Sequence, residues 1–495
     1  MKSVQKILCL CMSFLLMLSI WLKPVSAIEV RKKTEILQKI DDYVKSNMKV
    51  NHIKGAALAI SNKDGVFYTK GYGSSSDGRA ITSRTPFPIA SLSKSFTALA
   101  VLQLVDKGLI DLDAPYTSYF PEISPKDERV YSIKVRDLLN QTSGLNDKVD
   151  PDMTNFPQYV SLQEINQTLN KVRLSSNPGT SYSYHNPNYQ YLALLVEKVS
   201  GQSFSSYLEN NIFYKLGMSH SFNLNNSQQI NENSAIPRGH FIMFGHAVSK
   251  SEPSWFIEGP AGIISTADDM AKWMFAQYND HLLSPELMGK YHSSGPVSQY
   301  GIGWMAKDNK EWGRTISHSG IFWTYKSEET IYLDQHLGIT MMFNSGLNAF
   351  VDYAAFIDGI ARIINGKTVE SSYFNSRNME IVMILLVITT SFWGVRSVFR
   401  INRIKKSITF GKLILSSVIR LLPIWILLFL SPITTFIGAG RVVPWFGLWT
   451  TMPSIIIWLA VLSLINVTYL VNSFRVFYRS SKRNFLSPSL SELTD

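Results

Sequence analysis

The chain of 495 residues holds two cysteines, Cys9 and Cys11, and both fall within the apolar run Ile7–Leu22. Downstream there is no thiol, so disulfides, thiol nucleophiles and cysteine metal sites are excluded there. Two catalytic signatures are also missing. No Gly-x-Ser-x-Gly occurs, which excludes the nucleophile elbow between a strand and a helix. No His-Glu-x-x-His occurs, which removes the helical two-histidine zinc site. His240 and His246 stand six apart without a strong acidic partner nearby and read as loop histidines. Asp111 and Asp113 follow Gly108 and read as a turn and cap. No metal and no cofactor is expected. Acidic residues are scarce at one end: residues 372–495 hold 13 Lys+Arg against 3 Asp+Glu, and residues 1–371 hold 35 against 34. The net charge of +11 therefore belongs to the tail and is no argument for a nucleic-acid partner.

The N-terminus reads as an export signal over residues 1–27. Lys2 and Lys6 form a basic start, Ile7–Leu22 is apolar, and Val25-Ser26-Ala27 supplies small residues for cleavage after Ala27. An uncleaved anchor is the alternative. The cysteines do not sit where lipoprotein processing would need them. A linker over 372–378 precedes three apolar segments within 379–472: Ile381–Val395, Leu413–Gly438 with Pro423 and Pro432 inside, and Ile455–Val471. Each approaches the roughly 20 residues that span a bilayer. Arg396, Arg400, Arg403, Lys405, Lys406 and Lys412 crowd the loop after the first segment. Arg475, Arg479, Lys482 and Arg483 follow the third, whereas the loop after the second carries only Arg441. This alternation predicts a multi-pass cell-membrane protein with residues 473–495 in the cytoplasm and residues 28–371 outside. Arg420 lies early in its segment, where it either snorkels to the interface or marks a polar site within the spans.

Residues 28–371 read as one extracytoplasmic domain. Ile36, Ile40, Tyr43 and Val44 recur at helical spacing within Glu29–Val50. Gly55–Ile60 and Val66–Tyr72 are apolar runs joined through Asp64-Gly65, a hairpin signal. Leu92–Lys107 is apolar nearly all round, which predicts a buried helix, and Gly108 ends it. After a mostly helical middle, strand character returns at Tyr300–Ala306, Thr315–Trp323, Ser327–Leu333 and Leu337–Phe343, and Ala349–Ile364 closes the domain as a helix. The fold class is α+β: one antiparallel sheet built by both ends of the domain, with a helical insert between them.

Three short motifs carry the chemistry. Ser91-Leu92-Ser93-Lys94 opens the buried helix, which places a hydroxyl and an amine about one turn apart on one face. Such a pair can share a proton, so Ser91 is a candidate nucleophile and Lys94 its base, if burial lowers the amine from about 10.4 toward neutrality. Tyr184-His185-Asn186 lies on a loop before the helix Tyr189–Val199. His318-Ser319-Gly320 lies in a strand, where Gly320 admits close backbone approach and the amides of Ser91 and Ile321 form a candidate oxyanion pair. Each pattern is weak alone: Ser3-Val4-Gln5-Lys6 and Tyr373-Phe374-Asn375 repeat the first two elsewhere.

Their order, with 93 residues from Ser91 to Tyr184 and 134 more to His318, resembles the class C β-lactamase and penicillin-binding-protein-like serine hydrolases. The likeness covers roughly residues 35–365 and extends to Val135–Leu145, Leu216-Gly217-Met218 and Pro260–Met270. It implies Ser91 as nucleophile, Lys94 and Tyr184 sharing the proton work, and Asn186 binding the substrate amide. His318 takes the strand position where many relatives carry Lys or His, with Ser319, Gly320 and Ile321 alongside. The implied activity is hydrolysis through an acyl-enzyme, on a small peptide or D-amino-acid substrate. Peptidase or esterase activity is favoured over β-lactamase because His318 removes a fixed cation. Two other readings stay open. The three spans resemble membrane-bound peptidases that trim an acylated D-asparagine prodrug group, although those carry an acidic residue at the place of Pro88 and a Ser at that of Asn186. A sensor that is acylated without turnover is the other.

Overall fold

The structure is a computed structural model, and it describes residues 27–153, 157–279, 282–370, 372–403, 409–438 and 441–486. The expected export signal up to Ser26, Lys405 and Lys406 of the basic loop, and the end of the tail lie outside the described residues.

Helix α1 (Ala27–Val50) leads into strands β1 (Gly55–Asn62) and β2 (Gly65–Gly73). The turn between the strands runs through Gly65 at φ +117°, a conformation a side chain would strain. Strands β3 (Met305–Asn309), β4 (Gly313–Ile321), β5 (Lys326–Tyr332) and β6 (Leu337–Phe343) come from the other end of the domain. All six form one sheet in the order β2-β1-β6-β5-β4-β3. Every pairing is antiparallel, with Ala57 opposite Met342 and His318 opposite Glu329. The join between the two ends is β1 on β6, as the sequence predicts.

The pleat explains the layering. Alternate residues of β1 point to opposite faces. Leu58 and Ile60 pack with Ile40 and Val44 of α1 and with Phe356 and Ile360 of helix α5 (Ala354–Ile364). Ala57 and Ala59 pack on the other face, in a core shared with helices α2 (Ser93–Asp106), α3 (Pro187–Ser200) and α4 (Ala267–Asn279). Alanines suit that face because α4 lies close against it. A side chain at Gly338 of β6 would meet Met274 Cβ at 2.6 Å. The expected strand Tyr300–Ala306 is displaced to Met305–Asn309, and the closing helix starts at Ala354 instead of Ala349. Tyr300 is used as a site residue instead.

Among the described residues, three helices are long and apolar enough to cross a membrane: α6 (Ser376–Asn402), α7 (Phe410–Leu428) and α10 (Pro453–Leu486). The single segment expected over Leu413–Gly438 is divided. Helix α7 ends at Leu428, and a short α8 (Leu430–Ile437) follows at once. Pro432 falls in the first turn of α8, where its missing N–H costs nothing, so this proline sits in a restart and not in a span interior. A further turn of helix, α9 (Trp445–Thr451), precedes α10. Arg420 is engaged on a neighbouring helix. Its Nη1 donates to Asn466 Oδ1 at 2.9 Å and its guanidinium lies 3.5 Å from the centre of the Tyr469 ring, both on α10.

Candidate active site

Ser91 sits in the 3-10 turn Ala90–Leu92 that opens α2. Ala90 before it has φ +49°, a left-handed backbone that an L-residue adopts at a cost. Strand β4 presses on this turn. A Cβ at Gly320 would lie 2.1 Å from Ser327 Oγ and 2.3 Å from Ile89 O. Ser327 Oγ meanwhile donates to Ile89 O at 2.7 Å. Gly320 therefore lets the sheet reach the serine turn, which differs from the expected role of admitting substrate backbone.

Lys94 is fully buried one turn later. Its Nζ has three oxygen neighbours: Ser91 Oγ at 3.1 Å, Asn186 Oδ1 at 2.9 Å and Pro260 O at 3.1 Å. Burial first, and the Arg441 guanidinium second, push its pKa well below the ordinary lysine value, against a smaller opposing pull from Asp152. A neutral amine has two N–H groups and one lone pair. The two obligate acceptors, Asn186 Oδ1 and Pro260 O, take the N–H groups. A neutral Lys94 would then face Ser91 Oγ, 3.1 Å away, with its lone pair.

Tyr184 stands beside this pair. Its ring centre is 4.8 Å from Lys94 Nζ, and its hydroxyl interacts with Ser91. Burial raises its pKa above the ordinary phenol, so it holds its proton as a donor. His318 is buried, and burial above all depresses its ring to about 3. Its Nδ1 lies 2.9 Å from Ser319 O and its Nε2 3.3 Å from Tyr300 O–H. We assign the proton to Nδ1, since a carbonyl can only accept. His318 is thus a neutral hydrogen-bonding group and not a cation.

Asn186 is engaged inside the protein at both ends. Its Oδ1 accepts from Lys94, and its Nδ2 donates to Asp152 Oδ2 at 2.7 Å. It fixes Lys94 and keeps one lone pair and one N–H beyond these two bonds. Beneath it, His185 is enclosed between Asp147 and Asp150, each 3.1 Å from a ring nitrogen. Burial opposes a charge there, yet the two carboxylates raise His185 to about 9. This triplet braces the Tyr184–Asn186 backbone from below.

Ser91, Tyr184, Asn186, His318, Ser319 and Ile321 line one cavity of about 530 Å3. Lys94 lies behind it and Gly320 in its wall-bearing strand. Sequence reasoning missed Tyr300, whose ring meets those of Tyr184 and His318 edge-on at 5.7 Å. It also missed Asp147, Asp152 and Arg441. Arg441 Nη1 is 2.6 Å from Asp147 Oδ1, and Nη2 is 3.6 Å from Asp152 Oδ2. No local signal marks the two aspartates. The lone basic residue of an otherwise uncharged loop was the one visible clue.

A family profile described as Beta-lactamase matches residues 40–359. The chain is 26% identical over 319 residues to Protein flp of Staphylococcus aureus strain MRSA252, covering 62% of this chain and 62% of that protein. It is 25% identical over 320 residues to Penicillin-binding protein 4* of Bacillus subtilis strain 168, covering 59% and 68%. The chain thus spans less than two thirds of the length of the Staphylococcus relative. Among solved structures, the octameric penicillin-binding protein homologue from Pyrococcus abyssi superposes with TM-score 0.57 at 23% identity, over 67% of this chain and 78% of the other. The D-alanine carboxypeptidase AmpC from Burkholderia cenocepacia does so with TM-score 0.54 at 19% identity, over 67% and 99%. With the profile spanning the whole sheet and every motif around the cavity, the chain belongs to the Beta-lactamase family of serine hydrolases.

Proposed function

We propose that the protein is a membrane-anchored extracytoplasmic hydrolase that cleaves a peptide amide or ester through an acyl-enzyme on Ser91. The observation that carries this reading is the partner set of Lys94 Nζ, which leaves its lone pair for Ser91. Ser91 Oγ attacks the carbonyl carbon as its proton passes to Lys94 Nζ, and the carbonyl electron pair moves onto oxygen. The amides of Ser91 and Ile321 receive that oxyanion. When it collapses, the bond to the leaving group breaks. The leaving atom takes a proton from Tyr184 O–H, which Lys94 replenishes. Water then hydrolyses the ester by the reverse proton path and restores Ser91.

The charges around the cavity narrow the substrate. His318 is neutral, and Arg441, the cation among the described lining residues, is committed to Asp147 and Asp152. Amides and esters without a free carboxylate beside the scissile bond fit this lining. The three apolar helices and the basic loops support anchoring with the cavity outside. The test is labelling of the purified protein with a fluorescent serine-directed phosphonate. Wild type is expected to label and Ser91→Ala to lose the label completely. Equal labelling of both would remove the proposal.

A further inference from the structure

The cavity has two walls of different origin. Ser91, Tyr184, His318 and the apolar side chains Trp255, Phe322 and Trp323 come from the hydrolase domain. Val443, Leu448 and Met452 come from the segment that joins the second and third apolar helices. The join is built. Arg441 pairs with Asp147 and Asp152, and the Val442 amide donates to Asp147 Oδ2 at 3.0 Å. The Ala349 amide donates to Thr451 O at 2.9 Å. Gly447 packs so closely on Trp323 that a Cβ there would meet the indole at 2.4 Å. A buried ion pair and a glycine contact hold this segment against the domain as a fixed wall.

The chemistry of the space is one-sided. The lining is mostly apolar, and Thr434, Arg441 and Thr451 are the polar side chains on the segment's wall. A volume of about 530 Å3 lies in the ordinary range of small-molecule sites, about 300–1,000 Å3. The same short helix α8 that contributes Thr434 to the cavity exposes Phe436 and Ile437 at 89% and 77%. Where α7 and α10 cross a bilayer, those side chains sit at its surface.

We propose that this cavity binds an apolar chain, and that the segment between the second and third apolar helices sets the preference for it. The substrate is an amphiphile: an amide or ester with a hydrocarbon chain on its acyl or leaving side, presented at the membrane surface. This rests on the hydrolase reading above. Each methylene taken into the cavity is expected to raise kcat/KM about fourfold until the cavity is full.

The experiment uses the full chain in nanodiscs. Two series are compared at concentrations where all compounds are monomeric: para-nitrophenyl alkanoates from acetate to decanoate, and acetate esters of alkanols of the same lengths. One series is expected to climb steeply with chain length. In Leu448→Trp, which fills the cavity, the long-to-short ratio of kcat/KM falls about tenfold or more. In Leu415→Trp, on an exposed face of α7, the ratio holds. Active sites are counted by phosphonate titration, so a poorly folded variant does not enter the comparison, and the wild-type series stands without it. Ser91-dependent hydrolysis with both series flat overturns the chain-binding inference alone. A climbing series with an unchanged ratio in well-folded Leu448→Trp overturns the role of the segment. No Ser91-dependent hydrolysis and no labelling removes the hydrolase reading, and this inference with it.

Discussion

Arg441→Met tests the electrostatics of the base. Lys94 Nζ and the Arg441 guanidinium both lie over the Tyr184 ring, 4.8 Å and 5.6 Å from its centre. Two like charges so placed are no more than about 10 Å apart, and at an effective dielectric of about 20 they repel by about 1.7 kcal/mol. That is about one pKa unit. Arg441 thus helps burial keep Lys94 neutral, and removing it raises the Lys94 pKa. The base works in its neutral form, so the rising limb of the acylation rate against pH moves to higher pH by about one unit. Asp152 modifies the size of the effect. Its Oδ1 has no partner, and burial already raises its pKa above the ordinary carboxylate. Without Arg441, which pulls it down, Asp152 takes up a proton more readily and withdraws some of its own opposing field. The stability cost is bounded by the about 3–5 kcal/mol typical of breaking a buried pair, and Asp147 retains His185 and the Val442 amide. The assay is stopped-flow acylation by a chromogenic ester across the neutral to alkaline range, on protein shown to be folded by its melting curve. A limb that stays in place, or moves to lower pH, would refute the argument.

Two further outcomes follow from packing and linkage. Gly320→Ala drives a methyl into Ser327 Oγ and Ile89 O, and is expected to cost about 1–3 kcal/mol and most of the acylation rate; thermal melting and phosphonate labelling measure the two effects, and an unaffected rate would show that β4 does not position the serine turn. His185 is raised to about 9 when folded, so its contribution to stability is full below its ordinary value of about 6.5 and is lost as pH rises through about 9. Urea unfolding of wild type is expected to weaken over that window, and His185→Gln to flatten it; a parallel dependence in both proteins would place the titration elsewhere.

Most of the fold was legible because its signals are local. The short apolar run Leu337–Phe343, the Asp64-Gly65 turn and the apolar face around Phe356 and Ile360 each declare an element within a few residues. Tyr300 was misread as strand because its aromatic, β-prone surroundings resemble one, whereas the ring is spent on Tyr184 and His318. The division of the second apolar segment at Leu428 was hidden because hydropathy continues across the break. Arg441 and Asp147 are 294 residues apart, and no periodicity or spacing rule reaches that far.

From the sequence alone came the pairing of hydroxyl and amine on one helical face, the antiparallel sheet closed by both chain ends, and three apolar helices with basic flanks. These depend on period, turn chemistry and composition, which are written residue by residue. The tertiary structure decided the chemical state of the groups. The Lys94 amine is pushed well below its ordinary value by burial and by a guanidinium from the far end of the chain, His318 is left uncharged, and Asn186 becomes a brace for Lys94. Desolvation and Coulomb effects depend on what surrounds an atom in space, so they exist only once the chain has folded the segment between the second and third apolar helices beside Ser91.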